Sequence, residues 1–229
     1  MKLDILAGLN AERAARRAVI LITDTNSGDQ RLILEADIDG SARPDLYRSL
    51  IRAGRSRSLK EEEGGGFANV LVPPAKLVLI GAVHISQELA PMARQLGYDV
   101  TVIDPRTAFA TEDRFPGVRL IAEWPDDALP GVGVDRWTAF CALTHDPKID
   151  DPGLIHALNK GCFYIGALGS RKTHARRVER LTEAGITDQQ IASIHAPIGL
   201  AIGSQSPAEI AVSIMAQITA ALRLGSEAS

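Results

Sequence analysis

Cysteine is scarce: the 229 residues hold two, Cys141 and Cys162, 21 positions apart. That excludes a disulfide scaffold and a Cys-rich zinc module. Aromatic residues are 4% of the chain, too few for a platform on which bases or sugars stack. Charge of one sign is lacking too. Lys and Arg number 25 against 28 Asp and Glu, a net charge of −3, without the basic excess of a dedicated nucleic-acid binder. No apolar run reaches the ~18 residues of a membrane helix. The opening Met1-Lys-Leu-Asp-Ile-Leu6 has no long apolar core ending in a small-residue cleavage site. What is there, 45% hydrophobic and 23% charged residues, is the composition of a soluble globular chain. The expectation is a cytoplasmic protein with neither nucleic acid nor membrane as partner, long enough for two domains.

The proline pair Pro73-Pro74 cannot continue a sheet and makes a short, stiff connector. A small α+β domain is expected over 1–72 and a larger one over 75–229. In the first, a short helix over about 3–14 precedes a buried strand, Ala18–Asp24. Arg31–Ala36 is its partner across a turn at Asn26–Asp29. Pro44 starts a helix from about Asp45 to Ala53, and Phe67–Val72 is a further strand. Between them, the charge block from Arg52 to Lys60, Glu61–Glu63 and Gly64–Gly66 reads as a solvated, mobile loop.

From Ala75 strands and helices alternate. Lys76–Ile80 is a continuous apolar run with Gly81 after it, the pattern of a buried parallel strand. Over 84–96, Ile85, Leu89, Met92, Ala93 and Leu96 share one helical face, and Gly97 ends it. Tyr98–Ile103, Val118–Ala122, Trp137–Leu143 and Cys162–Ile165 are the next strands. Helices are expected over 151–160, 171–184, 187–192 and 207–222. This alternation implies right-handed crossovers, hence an α/β fold: a Rossmann-like doubly wound parallel sheet with a smaller α+β N-terminal domain.

Two strand-to-helix turns carry chemistry. Gly81-Ala82-Val83-His84-Ile85-Ser86 aligns with the dinucleotide fingerprint as G-x-V-x-x-S. Gly81 permits the tight turn, but the branched Val83 stands where a glycine lets a pyrophosphate approach. Asp104 follows Gly81 by 23 residues, where a ribose-binding acid is expected. NAD(P) binding is therefore open but disfavoured by Val83. The second turn, Gly166-Ala-Leu-Gly169-Ser170-Arg171-Lys172-Thr173, is a near miss to the phosphate-binding loop, with Arg171 where the second glycine belongs. Free amide groups at a helix N-terminus and the Ser170 hydroxyl suit an anion. Arg171, Lys172, Arg176, Arg177 and Arg180 make this helix basic, either as part of an anion site or as a solvated face.

Thr144-His145-Asp146-Pro147 lies at the strand end where doubly wound sheets bind ligands. His195–Gly203 precedes the last helix, and Gly199 and Gly203 suggest a backbone passing close to something. His84, His145 and His195 all fall at ligand-side loops. No tight His or Cys spacing supports a metal site, both cysteines read as small core residues in strand patterns, and no G-x-S-x-G elbow is present.

At these segments the chain resembles the XdhC/CoxI family, accessory proteins for xanthine dehydrogenase and related molybdenum hydroxylases. The resemblance rests on GAVHIS (81–86), VIDPR (102–106), THDPKIDDP (144–152), GALGSRKTHARR (166–177) and IHAPIGLAIGSQSPAEIA (194–211). It implies a chaperone that carries molybdenum cofactor as cargo, assists its sulfuration and delivers it to an apo-hydroxylase, with no turnover of its own. A cysteine desulfurase and a second copy of the chain are the other implied partners. The cargo would lie in a cleft between the domains, and its phosphate would suit Gly166–Lys172. Here Val83 stands in the family's G-A-G-H, Ala201 replaces the acid of I-G-L-D-I-G, and residues 1–72 hold no V-S-G-G-C motif. An NAD(P)-dependent oxidoreductase on the same sheet is the alternative.

Overall fold

The computed structural model describes residues 2–225, which divide into two compact units between Pro73 and Pro74. In the first unit, β1 (Val19–Thr23) pairs antiparallel with β2 (Gln30–Leu34) and β4 (Phe67–Leu71), and β3 (Arg57–Ser58) closes the edge. Val19–Ile22 are buried because β1 is central and helices α1 (Leu3–Ala14) and α2 (Pro44–Ala53) both reach it. Helix α2 starts on Pro44 and stops at Gly54, whose φ of 61° is a left-handed cap.

The charge block is not a loose loop. Arg57 and Ser58 pair with β4, and the Arg57 guanidinium holds both oxygens of Glu63 at 2.7 Å. Glu63 also accepts the Lys60 amide, and Arg57 beside it holds its carboxyl down to about 2. Opposite charges six residues apart pair across a turn here, which a count of charges along the chain does not disclose.

The second unit is a six-stranded parallel sheet in the order β10-β9-β8-β5-β6-β7. These are β5 (Lys76–Ile80), β6 (Asp99–Ile103), β7 (Arg119–Ile121), β8 (Thr138–Ala142), β9 (Tyr164–Ala167) and β10 (Ile194–His195). Read in chain order within the unit this is 3-2-1-4-5-6 from the β7 edge, the doubly wound arrangement. The expected α/β fold is the observed one. Helices α3 (His84–Gln95) and α8 (Pro207–Leu224) cover one face through Leu89, Ala93, Ile214 and Ile218. On the other lie α4 (Pro125–Ala128), α5 (Pro147–Lys160), α6 (Arg171–Glu183) and α7 (Asp188–Ala192), with Leu154, Ala157 and Leu181 at the core.

Three differences from the sequence reading have physical causes. Two residues of β10 are too few to show a strand's alternation, so it escaped notice. Helix α5 begins at Pro147, four residues early, because the Asp146 carboxylate accepts the Lys148 amide as N-cap and Pro147 suits the first turn. Cys162 is half-buried and precedes β9 rather than lying in it, whereas Cys141 is fully buried within β8.

Helix α8 also corrects the statement about apolar runs. Its 18 residues have a mean hydropathy of 1.2, enough by length and composition to cross a membrane, with 28% of them buried. Ala211, Ile214, Met215 and Ile218 lie at i, i+3, i+4 and i+7 and are all buried, the stripe of a helix packed on a sheet. Ile214→Ala is expected to lower the free energy of urea unfolding by about 2–5 kcal/mol. Val212→Ala, on the half-exposed face, should change it by less than ~0.5 kcal/mol. Equal effects would mean that α8 does not pack as described.

Candidate functional site

The turns after β5, β8 and β9 stand side by side at the C-terminal edge of the sheet, joined by Leu143 N–H to Ile80 O at 2.9 Å and Leu168 N–H to Ala142 O at 2.8 Å. After β5, Gly81 has φ of 110°, and a Cβ there would lie 2.7 Å from Cγ2 of Thr144. Glycine thus lets the β5 turn press against the β8 turn. Val83 is the N-cap of α3, with its side chain partly buried against the core below, and His84 is exposed at the first helical position.

Asp104, just after β6, is fully buried. One carboxylate oxygen accepts the Ala82 amide and Arg106 Nη2, both at 2.7 Å; the other accepts Arg106 N–H and Nε, both at 2.9 Å. A carboxylate offers about four lone-pair directions, and all four are taken within the chain. Burial pushes its pKa up, but the bonds from Arg106 and Ala82 outweigh that and hold it below the ordinary value. The position that spacing suggests for a ribose contact thus holds a latch between the β5 and β6 turns.

After β8, a second carboxylate organises the turn. Asp150, 1% exposed on α5, accepts Thr144 N–H at 3.2 Å, Thr144 Oγ1 at 2.7 Å and His145 N–H at 3.0 Å. His145 itself is exposed with φ of 65°, a left-handed conformation costly for a side-chain-bearing residue. Burial pushes the Asp150 pKa above the ordinary value, against the hydrogen bonds of Thr144 and the charge of Arg177.

After β9, Gly169 and Ser170 lead into α6. Ser170 Oγ accepts the Thr173 amide at 3.2 Å as N-cap, while the amides of Gly169, Ser170, Arg171 and Lys172 have no acceptor among the described residues. Arg171 is exposed. Nearly two turns on, Arg177 is 2% exposed: Nη2 donates to Leu168 O at 2.9 Å, and Nε and Nη1 have no partner among the described residues. Each unmade bond of a buried donor costs about 1–3 kcal/mol, more for a charged group. Burial pushes the Arg177 pKa down, Asp150 and Asp151 partly restoring it. A cavity of 350 Å³ opens between the starts of α5 and α6, lined by His145, Asp150, Lys172, Arg176 and Arg177 among others.

Of the residues singled out from sequence, this cavity gathers His145, Pro147, Lys172, Arg176, Arg177 and Arg180, with Asp146 and Ser170 capping the two helices beside it and Gly169 just before the second cap. Arg171 does not line it. Gly166 serves packing: a Cβ there would lie 2.5 Å from Cδ1 of Ile198. His195 stacks on Tyr164 with ring centroids 4.7 Å apart, and Tyr164 belongs to the core under α3 and α8, on the opposite face from the cavity. Burial lowers the His195 pKa. Gly199, φ 91°, passes against Ser213 of α8 and donates to Gln217 Oε1 at 2.8 Å. Sequence reasoning missed Asp150 and the burial of Arg177. The available signal was spacing: Thr173, Arg177 and Leu181 fall four apart, placing an arginine on the stripe that leads to a core leucine.

A parallel sheet in this order, with its polar turns gathered at one edge, defines a Rossmann-type unit. Residues 77–218 match the XdhC Rossmann domain, and the chain belongs to that family, as its motifs suggested. It is similar to the molybdenum cofactor insertion chaperone PaoD of Escherichia coli (strain K12), 30% identical over 162 residues, 71% of this chain and 44% of that protein. A protein described as a probable component of xanthine dehydrogenase in Bacillus subtilis (strain 168) is 32% identical over 153 residues, 66% of this chain and 44% of the relative. The chain spans under half the length of both curated relatives. A solved structure described as a xanthine dehydrogenase from Bacillus halodurans aligns with a TM-score of 0.71 at 25% identity, covering 98% of this chain and 68% of that one.

The Asp104 latch makes a prediction. Asp104→Asn should lower stability at pH 7 by about 1.5–3 kcal/mol, the worth of a hydrogen bond to a charged group. A depressed folded-state pKa contributes stability above the unfolded value of 3.8 and loses it as pH falls through the lower folded value. The gap between wild type and variant, read from unfolding midpoints, should therefore narrow below that pH.

Proposed function

We propose that the chain is an accessory factor in the maturation of a molybdenum hydroxylase of the xanthine or carbon monoxide dehydrogenase type. It carries molybdenum cofactor as cargo, assists its sulfuration and insertion, and turns over no substrate of its own. The observation that carries this reading is the likeness to a molybdenum cofactor insertion chaperone over 71% of the chain. The edge at which such sheets bind ligands supports it, because basic side chains and free amides collect there in a chain of net charge −3. On this reading the apo-hydroxylase is the client, a cysteine desulfurase supplies sulfur, the protein works as a homodimer, and the setting is cytoplasmic. His145 and Asp146 after β8, with Gly169, Ser170, Arg171 and Lys172 after β9, are the residues closest to the cargo.

The nicotinamide alternative has less to stand on. The Gly81 turn has the right shape, but Asp104 has no lone pair left for a ribose hydroxyl. Equilibrium dialysis of the purified chain against molybdenum cofactor and against NAD(P) separates the two. Saturable retention of the pterin is expected, with weak or no retention of the nucleotide. Micromolar nicotinamide binding without pterin binding would reverse the ranking.

A further inference from the structure

The cavity between α5 and α6 is lined by four cations, Lys172, Arg176, Arg177 and Arg180, against two carboxylates, Asp150 and Asp151. Its two wall carboxylates already have donors. Asp150 is held by Thr144 and His145, and Asp151 is paired with Arg180, Nη2 to Oδ1 at 3.1 Å. Lys172 and Arg176 form no ion pair among the described residues. Arg177 is the unusual member. An arginine with 2% exposure normally has every donor engaged, yet Nε and Nη1 have no acceptor among the described residues. They belong to a side chain that lines the cavity together with Lys172, whose amide near the start of a 13-residue helix has no acceptor among the described residues.

We propose that this cavity is a binding site for a phosphate-class oxyanion, a phosphate monoester or inorganic phosphate, held by Arg177 from below and by Lys172 and Arg176 at the mouth. Lys172 and Arg176, which form no ion pair among the described residues, and Arg177, which meets Asp150 and Asp151 through charge alone, favour a dianion over a single carboxylate. Guanidinium donors and helix-terminal amides are the groups that bind phosphate oxygens most strongly. A volume of 350 Å³ is at the small end of ligand pockets, suited to a phosphate with part of its ester. The oxyanion supplies the acceptors that Arg177 lacks, so the buried guanidinium is retained for the ligand. The site does not depend on the maturation reading: it takes a phosphate whatever bears it.

The test is calorimetric titration of the full chain in a phosphate-free buffer with inorganic phosphate and with ribose 5-phosphate, sodium chloride being the ionic-strength control. Both probes should bind saturably and raise the unfolding temperature, which chloride should not. Lys172→Ala and Arg176→Ala, both exposed positions, should each weaken binding about tenfold, the loss of one charge-assisted contact. Arg177→Met should abolish it, and Arg52→Ala, in the other unit, should leave it unchanged. A monoester bound more tightly than the free ion upholds the site and assigns it to an ester; equal affinity upholds it and assigns it to inorganic phosphate. Absence of saturation by about 10 mM for both probes, or wild-type affinity in Lys172→Ala and Arg176→Ala, would overturn the proposal. Pterin dialysis uses a different ligand, so either experiment can fail alone.

Discussion

One buried carboxylate, Asp150, sets the shape of the ligand edge. A charge at 1% exposure must find donors, and the nearest are the Thr144 and His145 amides and the Thr144 hydroxyl. Accepting them forces His145 to φ 65°, at a cost of roughly 1–2 kcal/mol. Bonds to a charged acceptor are worth about 1.5–3 kcal/mol each, so three of them outweigh that strain. The same turn swings the Thr144 methyl against Gly81, where a Cβ would not fit, and delivers Asp146 to the start of α5. The β5 turn, the β8 turn and one wall of the cavity all take their positions from this residue.

Asp104 and Asp150 are both buried, yet their pKa values move in opposite directions, and their arginines move with them. Asp104 meets Arg106 directly through Nε and Nη2, so its carboxyl goes down and the Arg106 guanidinium up. Asp150 has mostly neutral donors and feels Arg177 only through its charge. Desolvation therefore wins at both partners, raising the acid and lowering the base. Geometry thus decides which arginine remains available: the fork of Arg106 is closed on its own neighbour two residues away, and that of Arg177 is not.

The parallel sheet was legible because its central strands are buried on both faces. Lys76–Ile80 reads as a continuous apolar run and Trp137–Leu143 as a strand, and Ile85, Leu89 and Ala93 recur at helical spacing. Histidine was the poorer guide. His84 and His145 follow β5 and β8, but His195 lies within β10 and turns to Tyr164 on the far face, a direction that spacing does not encode. Glycine misled in a similar way. Gly166 and Gly199 do mark close approaches, but to Ile198 and Ser213 of the chain itself. The basic run on α6 was visible as charge, but which of its members is buried depends on how the helix rolls onto Leu181.

The two thiols have a consequence for chemistry in their neighbourhood. Cys141 is sealed in the sheet, and burial, with the charge of Asp135, pushes Cys162 up to about 12. The reactive form of cysteine is the thiolate, and near neutral pH neither side chain supplies it. Thiol-alkylating labels are expected to react slowly at both positions near neutral pH. Sulfur that travels between proteins as a persulfide needs a thiolate to accept it. Within these 229 residues, such an atom would find nowhere to rest, and any transfer made here would have to pass straight from donor to recipient.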